Sequence, residues 1–89
     1  MKKISTSTRY AEDYGNLHVE ADVQKNEQEG KITSINGGSV RDTDNTINAW
    51  FNVSADGQLS ISGINITDKE AVADVTDAVT EFYQEVSAL

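Results

Sequence analysis

Hydrophobic and polar residues alternate through most of this chain, and the period of the alternation changes once, near residue 67. Before that point the period is two, the mark of strands with one wet face. Ile4, Thr6, Thr8 and Tyr10 alternate with polar neighbours and predict a first strand, with Ala11 to Gly15 turning the chain. Leu17, Val19, Ala21 and Val23 alternate with His18, Glu20, Asp22 and Gln24, which predicts a second strand with its apolar face on a core. Asn26 to Gly30 reads as an acidic turn. Lys31 to Arg41 predicts a third strand interrupted by Asn36-Gly37-Gly38, where the glycine pair marks either a bulge or a tight turn that splits the strand. Asp42 to Asn45 is the next turn. In the fourth strand Ile47, Ala49, Phe51 and Val53 share one face, and Asn48, Trp50, Asn52 and Ser54 share the other. Leu59 and Ile61 open a fifth strand whose apolar phase slips at Gly63 and resumes at Ile64 and Ile66, as a bulge near Gly63 would allow.

Register selects the loop between the last two strands. A two-residue Asp56-Gly57 loop would set Leu59 opposite Ser54 and divide the apolar residues between two faces. A three-residue loop, Ala55 to Gly57, pairs Val53 with Leu59 and Phe51 with Ile61, and puts Gly57 where a left-handed residue is wanted. The three-residue loop is therefore expected.

After residue 67 the period becomes that of a helix. Thr67 followed by Glu70 matches a capping box, in which the hydroxyl accepts from an orphan amide and the carboxylate reaches back to the cap. Val72, Val75, Val79, Phe82, Val86 and Leu89 then recur at spacings of three and four. Strands over about 3–66 and a helix over about 68–88 make residues 1–89 one domain. The expected fold class is α+β: an antiparallel four- or five-stranded meander with one C-terminal helix packed on one face.

Charge changes this picture on the helix. Glu70, Asp74, Asp77, Glu81 and Glu85 fall in a stripe roughly 80° wide, centred roughly 130° around the helix from the apolar one. Lys69 is the only basic residue after Arg41. Like charges three or four apart repel by roughly 0.2–0.5 kcal/mol per pair, and anions near a helix C-terminus oppose its dipole. The stripe has a structural cost, so it is the leading candidate for a partner-binding surface. Solvated helix surface is the competing account. Glu70 to Glu85 spans about 22 Å, one charge every ~5–6 Å, whereas a DNA strand carries one per ~3.4 Å. The helix alone is too sparse to copy a phosphate strand. Glu20, Asp22, Glu27 and Glu29 extend the field only if the fold brings them alongside. Trp50 is the second candidate. It points away from Phe51, and it is either an interface anchor on a polar sheet face or covered by Tyr10, Tyr14 or a loop.

The whole chain has 15 acids against 7 bases, a net charge of −8. A direct binder of nucleic acid must neutralise phosphates, so this balance argues against one, and likewise against binding to an anionic membrane. It favours a partner protein with a basic surface. There is no cysteine, hence no disulfide or thiol chemistry. Residues 4–10 contain no apolar run of the signal-peptide kind, and no stretch approaches the roughly 20 apolar residues of a membrane span. Cytoplasm is the expected location.

Catalytic motifs are missing. The lone histidine, His18, falls on a polar strand face. Asp42-Thr43-Asp44-Asn45 departs from a calcium loop at Ile47 and Val53, where Gly and a bidentate Glu are required. No Gly-x-Ser-x-Gly elbow or phosphate-binding loop occurs. No enzyme activity, cofactor or metal is expected.

In size, acidity and lack of catalytic groups the chain resembles the small inhibitors that phages encode against host defences, including anti-CRISPR and DNA-mimicking anti-restriction proteins. The resemblance is one of general character. It implies an inhibitor that occupies a basic, nucleic-acid-binding surface of a bacterial effector complex, in the host cytoplasm if the chain is phage-encoded. The alternative is a non-enzymatic structural or adaptor domain that forms homo-oligomers through its sheet face or edge.

Overall fold

A computed structural model describes residues 5–26 and 28–89. Ile4 and Glu27, used in the sequence reading, lie outside the described residues. Five strands, β1 (Ser5–Tyr14), β2 (Leu17–Asn26), β3 (Ile32–Asp42), β4 (Asn48–Val53) and β5 (Leu59–Ser62), precede one helix, α1 (Lys69–Ser87). The strands form one sheet in the order β1-β2-β3-β4-β5, each neighbour antiparallel. The helix packs on one face, so the fold is the expected α+β meander.

Local sequence explains most of the register. Tyr14 pairs with Leu17, so Gly15 and Asn16 alone turn the first hairpin. A two-residue loop wants positive φ at its first position, and Gly15 supplies it at 63°. The expected turn over Ala11 to Gly15 is thus corrected: Ala11 to Tyr14 continue β1. The strand is polar there because an edge strand has only one neighbour and tolerates charge.

The third strand is continuous. Glu20 pairs with Ser39 and Asp22 with Asn36, while Gly38 pairs with Phe51 and Ile35 with Val53. Between these pairs β3 carries one residue too many against both neighbours, which is a bulge and not a second turn; a second slip against β2 alone lies between Ser34 and Ile32. Gly37 takes the left-handed conformation there, φ 60°. Gly38 is needed for space. A Cβ on it would lie 2.5 Å from the Phe51 ring.

Val53 pairs with Leu59 and Phe51 with Ile61, the register of the three-residue loop. The Ser54 amide donates to the Gln58 carbonyl at 3.0 Å to close it, and Gly57 has φ 84°. The fifth strand is shorter than expected. It ends at Ser62, Gly63 turns the chain at φ 86°, and Ile66 is 81% exposed. No bulge returns Ile66 to the core. Gly63 lies against the Asn48 carbonyl and the Trp50 ring, where a Cβ would come within 2.8 and 3.0 Å.

The helix cap also differs from expectation. Asp68 is the N-cap, its Oδ1 accepting from the Ala71 amide at 3.0 Å. The Thr67 hydroxyl is already engaged, donating to Asn65 Oδ1 at 2.7 Å. Two good capping residues stand side by side, and the turn formed by Asn65 selects the second. Glu70 is then one position too early to complete a capping box.

Val75, Ala78, Val79, Phe82 and Val86 of α1 are buried, and Leu89 lies past the helix end, largely exposed. They meet Leu17, Val19, Ala21, Val23, Ile35, Val40, Ala49, Phe51 and Val53 in one core. Phe51 and Phe82 pack edge to face, centroids 6.2 Å apart. The helix backbone runs closest to β2, with β1 and β3 beside it, and reaches β4 through side chains such as Phe82 on Phe51. That offset decides what each flank of the helix faces.

Candidate functional site

The apolar stripe fixes the rotation of α1, and rotation places the acids. Glu70, Asp74, Asp77, Glu81 and Glu85 are all exposed. They run down the flank that faces the first hairpin. Asp74, Asp77 and Glu81 border a groove of about 300 Å³ with Tyr14, Gly15, Asn16 and Leu17. Glu85 borders the next groove along, of about 400 Å³, with Tyr10, Glu12 and Phe82. Glu70 and Asp74 border a third at the helix start, with Ile47 and Ile64. The five form one continuous edge.

The strand register adds a member that periodicity did not reveal. Glu12 pairs with the buried Val19, so it projects from the helix-covered face. Tyr14, two residues on, shares that face, and its hydroxyl donates to Glu85 Oε2 at 2.6 Å. The Tyr14 hydroxyl is pushed well above the usual tyrosine range, first by burial, then by its bond to Glu85, with the charges of Glu12 and Glu81 adding to it. Recognising this cluster from sequence required knowing that β1 runs on to Tyr14.

Glu20 and Asp22 do not join the field. They project from the opposite sheet face, where Arg9 Nη2 meets Glu20 Oε1 at 3.1 Å and Arg9 Nη1 meets Asp22 Oδ1 at 3.2 Å. His18 lies beside them, Nδ1 at 2.7 Å from Asp13 Oδ1 and Nε2 at 3.5 Å from Glu20 Oε2. These two acceptors, Asp13 first, raise the imidazole pKa above its ordinary value, while Arg9 and then His18 lower that of Glu20. Glu29 is exposed in the β2–β3 turn. Among the described residues every side-chain ion pair falls on this far face, and the helix acids have none.

Trp50 is also on the far face, 52% exposed. Ser39 and Ser62 flank it across the sheet, and Asn48 and Asn52 along the strand. Tyr10 and Tyr14 lie on the helix side and do not cover it. The sheet therefore stands between Trp50 and the carboxylates. The two candidate sites are distinct, and one flat partner surface cannot touch both.

Asp42 resolves the resemblance to a calcium loop. Its carboxylate is turned inward, 7% exposed for the residue, and accepts from the Thr46 amide at 2.7 Å, the Ile47 amide at 3.0 Å and the Thr46 hydroxyl. The Ile47 amide, then the Thr46 hydroxyl, hold this carboxyl below the usual range. It ties the β3–β4 turn. Among the described residues no three His, Cys, Asp or Glu side chains converge as metal ligands. No described helix is long and apolar enough to cross a membrane.

No protein family, no curated protein and no solved structure matches the chain.

Proposed function

We propose that this chain is a small, non-enzymatic binding protein whose acidic helix flank docks on a basic protein surface, one that otherwise holds nucleic acid. The observation that supports it is the segregation of charge. Arg9 and His18 are spent on carboxylates of the far sheet face, while six exposed acids on and beside α1 keep their field. Uncompensated carboxylates along about 22 Å of helix steer a basic partner and speed its approach. Their spacing is too open for phosphate-by-phosphate mimicry, so contact and steering share the work. On the general resemblance to phage-encoded anti-defence inhibitors, the partner class proposed is a nucleic-acid-binding effector complex of a bacterium.

The test is a triple variant, Asp74, Asp77 and Glu81 each changed to Lys. Glu85 is left in place because it holds Tyr14. A partner captured from bacterial lysate by the wild type should be released by duplex DNA and by salt, and should associate much more slowly with the folded variant. Equal affinity of wild type and variant for that partner would return the flank to plain solvated surface.

A further inference from the structure

The helix has a second flank, opposite the acids and unlike them. Thr76, Thr80, Tyr83 and Ser87 line it, and it bears no acid; Lys69, in the first turn, is the one charge on it among the described residues. Its three aliphatic hydroxyls are turned back on the helix: Thr76 Oγ1 donates to the Val72 carbonyl at 2.7 Å, Thr80 Oγ1 to the Thr76 carbonyl at 2.8 Å, and Ser87 Oγ to the Tyr83 carbonyl at 2.7 Å. With those donors satisfied within the helix, the flank offers mostly methyl and ring surface. It overlooks a cleft of about 200 Å³ lined by Val53, Gly57, Leu59, Val79, Thr80 and Tyr83, where the helix backbone stands farther from β4 and β5 than from β2.

The rim of this cleft is β5, an edge strand. Among the described residues only β4 pairs with it. Ser54 and Gln58 form the hydrogen-bonded pair that closes the hairpin. By antiparallel alternation Ser60 and Ser62 then bond toward β4, while the amides and carbonyls of Leu59 and Ile61 point outward. Leu59, at the cleft, is 39% exposed although it faces the helix side.

We propose that β5 pairs with β5 of a second copy, giving a two-fold dimer with a continuous ten-stranded sheet. The strand complements itself. A two-fold axis at Ser60 sets Leu59 against the partner copy's Ile61, and the reverse. Both residues carry outward backbone groups, and both side chains lie on the helix side, so hydrogen bonding and apolar contact coincide. Charge excludes the other edge. β1 carries Arg9, Glu12 and Asp13 beside the acidic flank, so pairing there would press two carboxylate rows together in a chain of charge −8. The four residues of β5 are uncharged, and Asp56 in the adjoining turn is held by the Ser54 hydroxyl. Joined through β5, the copies keep their acidic flanks at opposite ends, free for the partner proposed above.

Sedimentation and amide exchange on the full chain test this. A monomer–dimer equilibrium should appear between micromolar and millimolar concentration and tighten as salt rises, because salt screens repulsion between two acidic copies. Leu59→Lys should hold the chain monomeric, since an edge lysine disfavours strand addition. In the wild type, protection of the Leu59 and Ile61 amides should grow with protein concentration, while β1 amides stay unchanged. A wild type that is monomeric throughout overturns the proposal. So does a dimer that survives Leu59→Lys, or one whose concentration-dependent protection falls elsewhere. Salt separates this from the reading of the acidic flank, whose partner binding weakens as salt rises.

Discussion

Gly38→Ala adds one methyl group, and the structure says where it goes. An ideal Cβ at Gly38 lies 2.5, 2.6 and 2.7 Å from Cε1, Cδ1 and Cζ of Phe51. Carbon atoms prefer about 3.5–4.0 Å, so the ring or the strand must retreat by roughly 1 Å. Phe51 is 1% exposed and meets Phe82 edge to face, so retreat drives it against α1. Overpacking of this kind costs about 1–3 kcal/mol, and disturbing the ring pair adds about 0.5–1.5 kcal/mol. The expected loss is about 2–4 kcal/mol, a large part of the roughly 4–13 kcal/mol available to a domain of this size. At about 4–8 °C per kcal/mol, the melting temperature should fall by roughly 8–30 °C. Circular dichroism followed through urea titration gives the free-energy loss, and through a thermal scan the fall in melting temperature. Gly37→Asn is the control: its added atom meets only the ends of Asp22 and Arg9 at 3.6 and 3.9 Å, and Asn tolerates φ 60°. A double-mutant cycle with Phe51→Leu isolates the cause, because a smaller side chain should shrink the penalty of the added methyl. If Gly38→Ala costs as much in the Phe51→Leu background as in the wild type, the ring is not the obstacle and the reasoning fails.

Asp68→Ala should destabilise by about 1 kcal/mol, with Thr67→Ala costing less, because Asp68 is the residue that caps α1; urea midpoints that reverse this order would restore Thr67 as the cap. The Asp42 carboxyl sits below its ordinary value of 3.8, so its stabilisation is present above that value and is lost as pH falls through the folded-state pKa. Asp42→Asn should therefore lower the melting temperature at neutral pH, and the gap to wild type should close in acid. His18 behaves oppositely: its pKa is raised above 6.5, so its stabilisation is complete below that value and disappears as pH rises through the folded-state pKa. Melting curves of His18→Gln should lie below wild type only on the acid side, and by a small margin, since the imidazole and Asp13 are largely exposed and solvent screens the pair.

Periodicity in the sequence was enough for the element types, the inward residues of β2 and β4, and the apolar side of the helix. Each strand needs only to know which of its faces is dry, and alternation records that directly. The three-residue loop before Leu59 was legible for the same reason, since the wrong loop length would have turned an apolar set outward. Alternation is silent about neighbours. Nothing in Glu-Asp-Tyr at 12–14 reveals a strand, because an edge strand need not hide its polar residues. Only pairing with Leu17 and Val19 places Glu12 and Tyr14 beside the helix. The choice between Thr67 and Asp68 rested on the Asn65 turn, and the continuity of β3 on the Phe51 ring over Gly38. The candidate site divided in the same way. Helical spacing alone lined up Glu70, Asp74, Asp77, Glu81 and Glu85. Tertiary structure put Glu20, Asp22 and Trp50 on the far side of the sheet and set the α1 backbone nearest β2, leaving a cleft between the helix and β5. Those are relations between elements, set by how side chains of different size pack across a twisted sheet, and no single segment contains them.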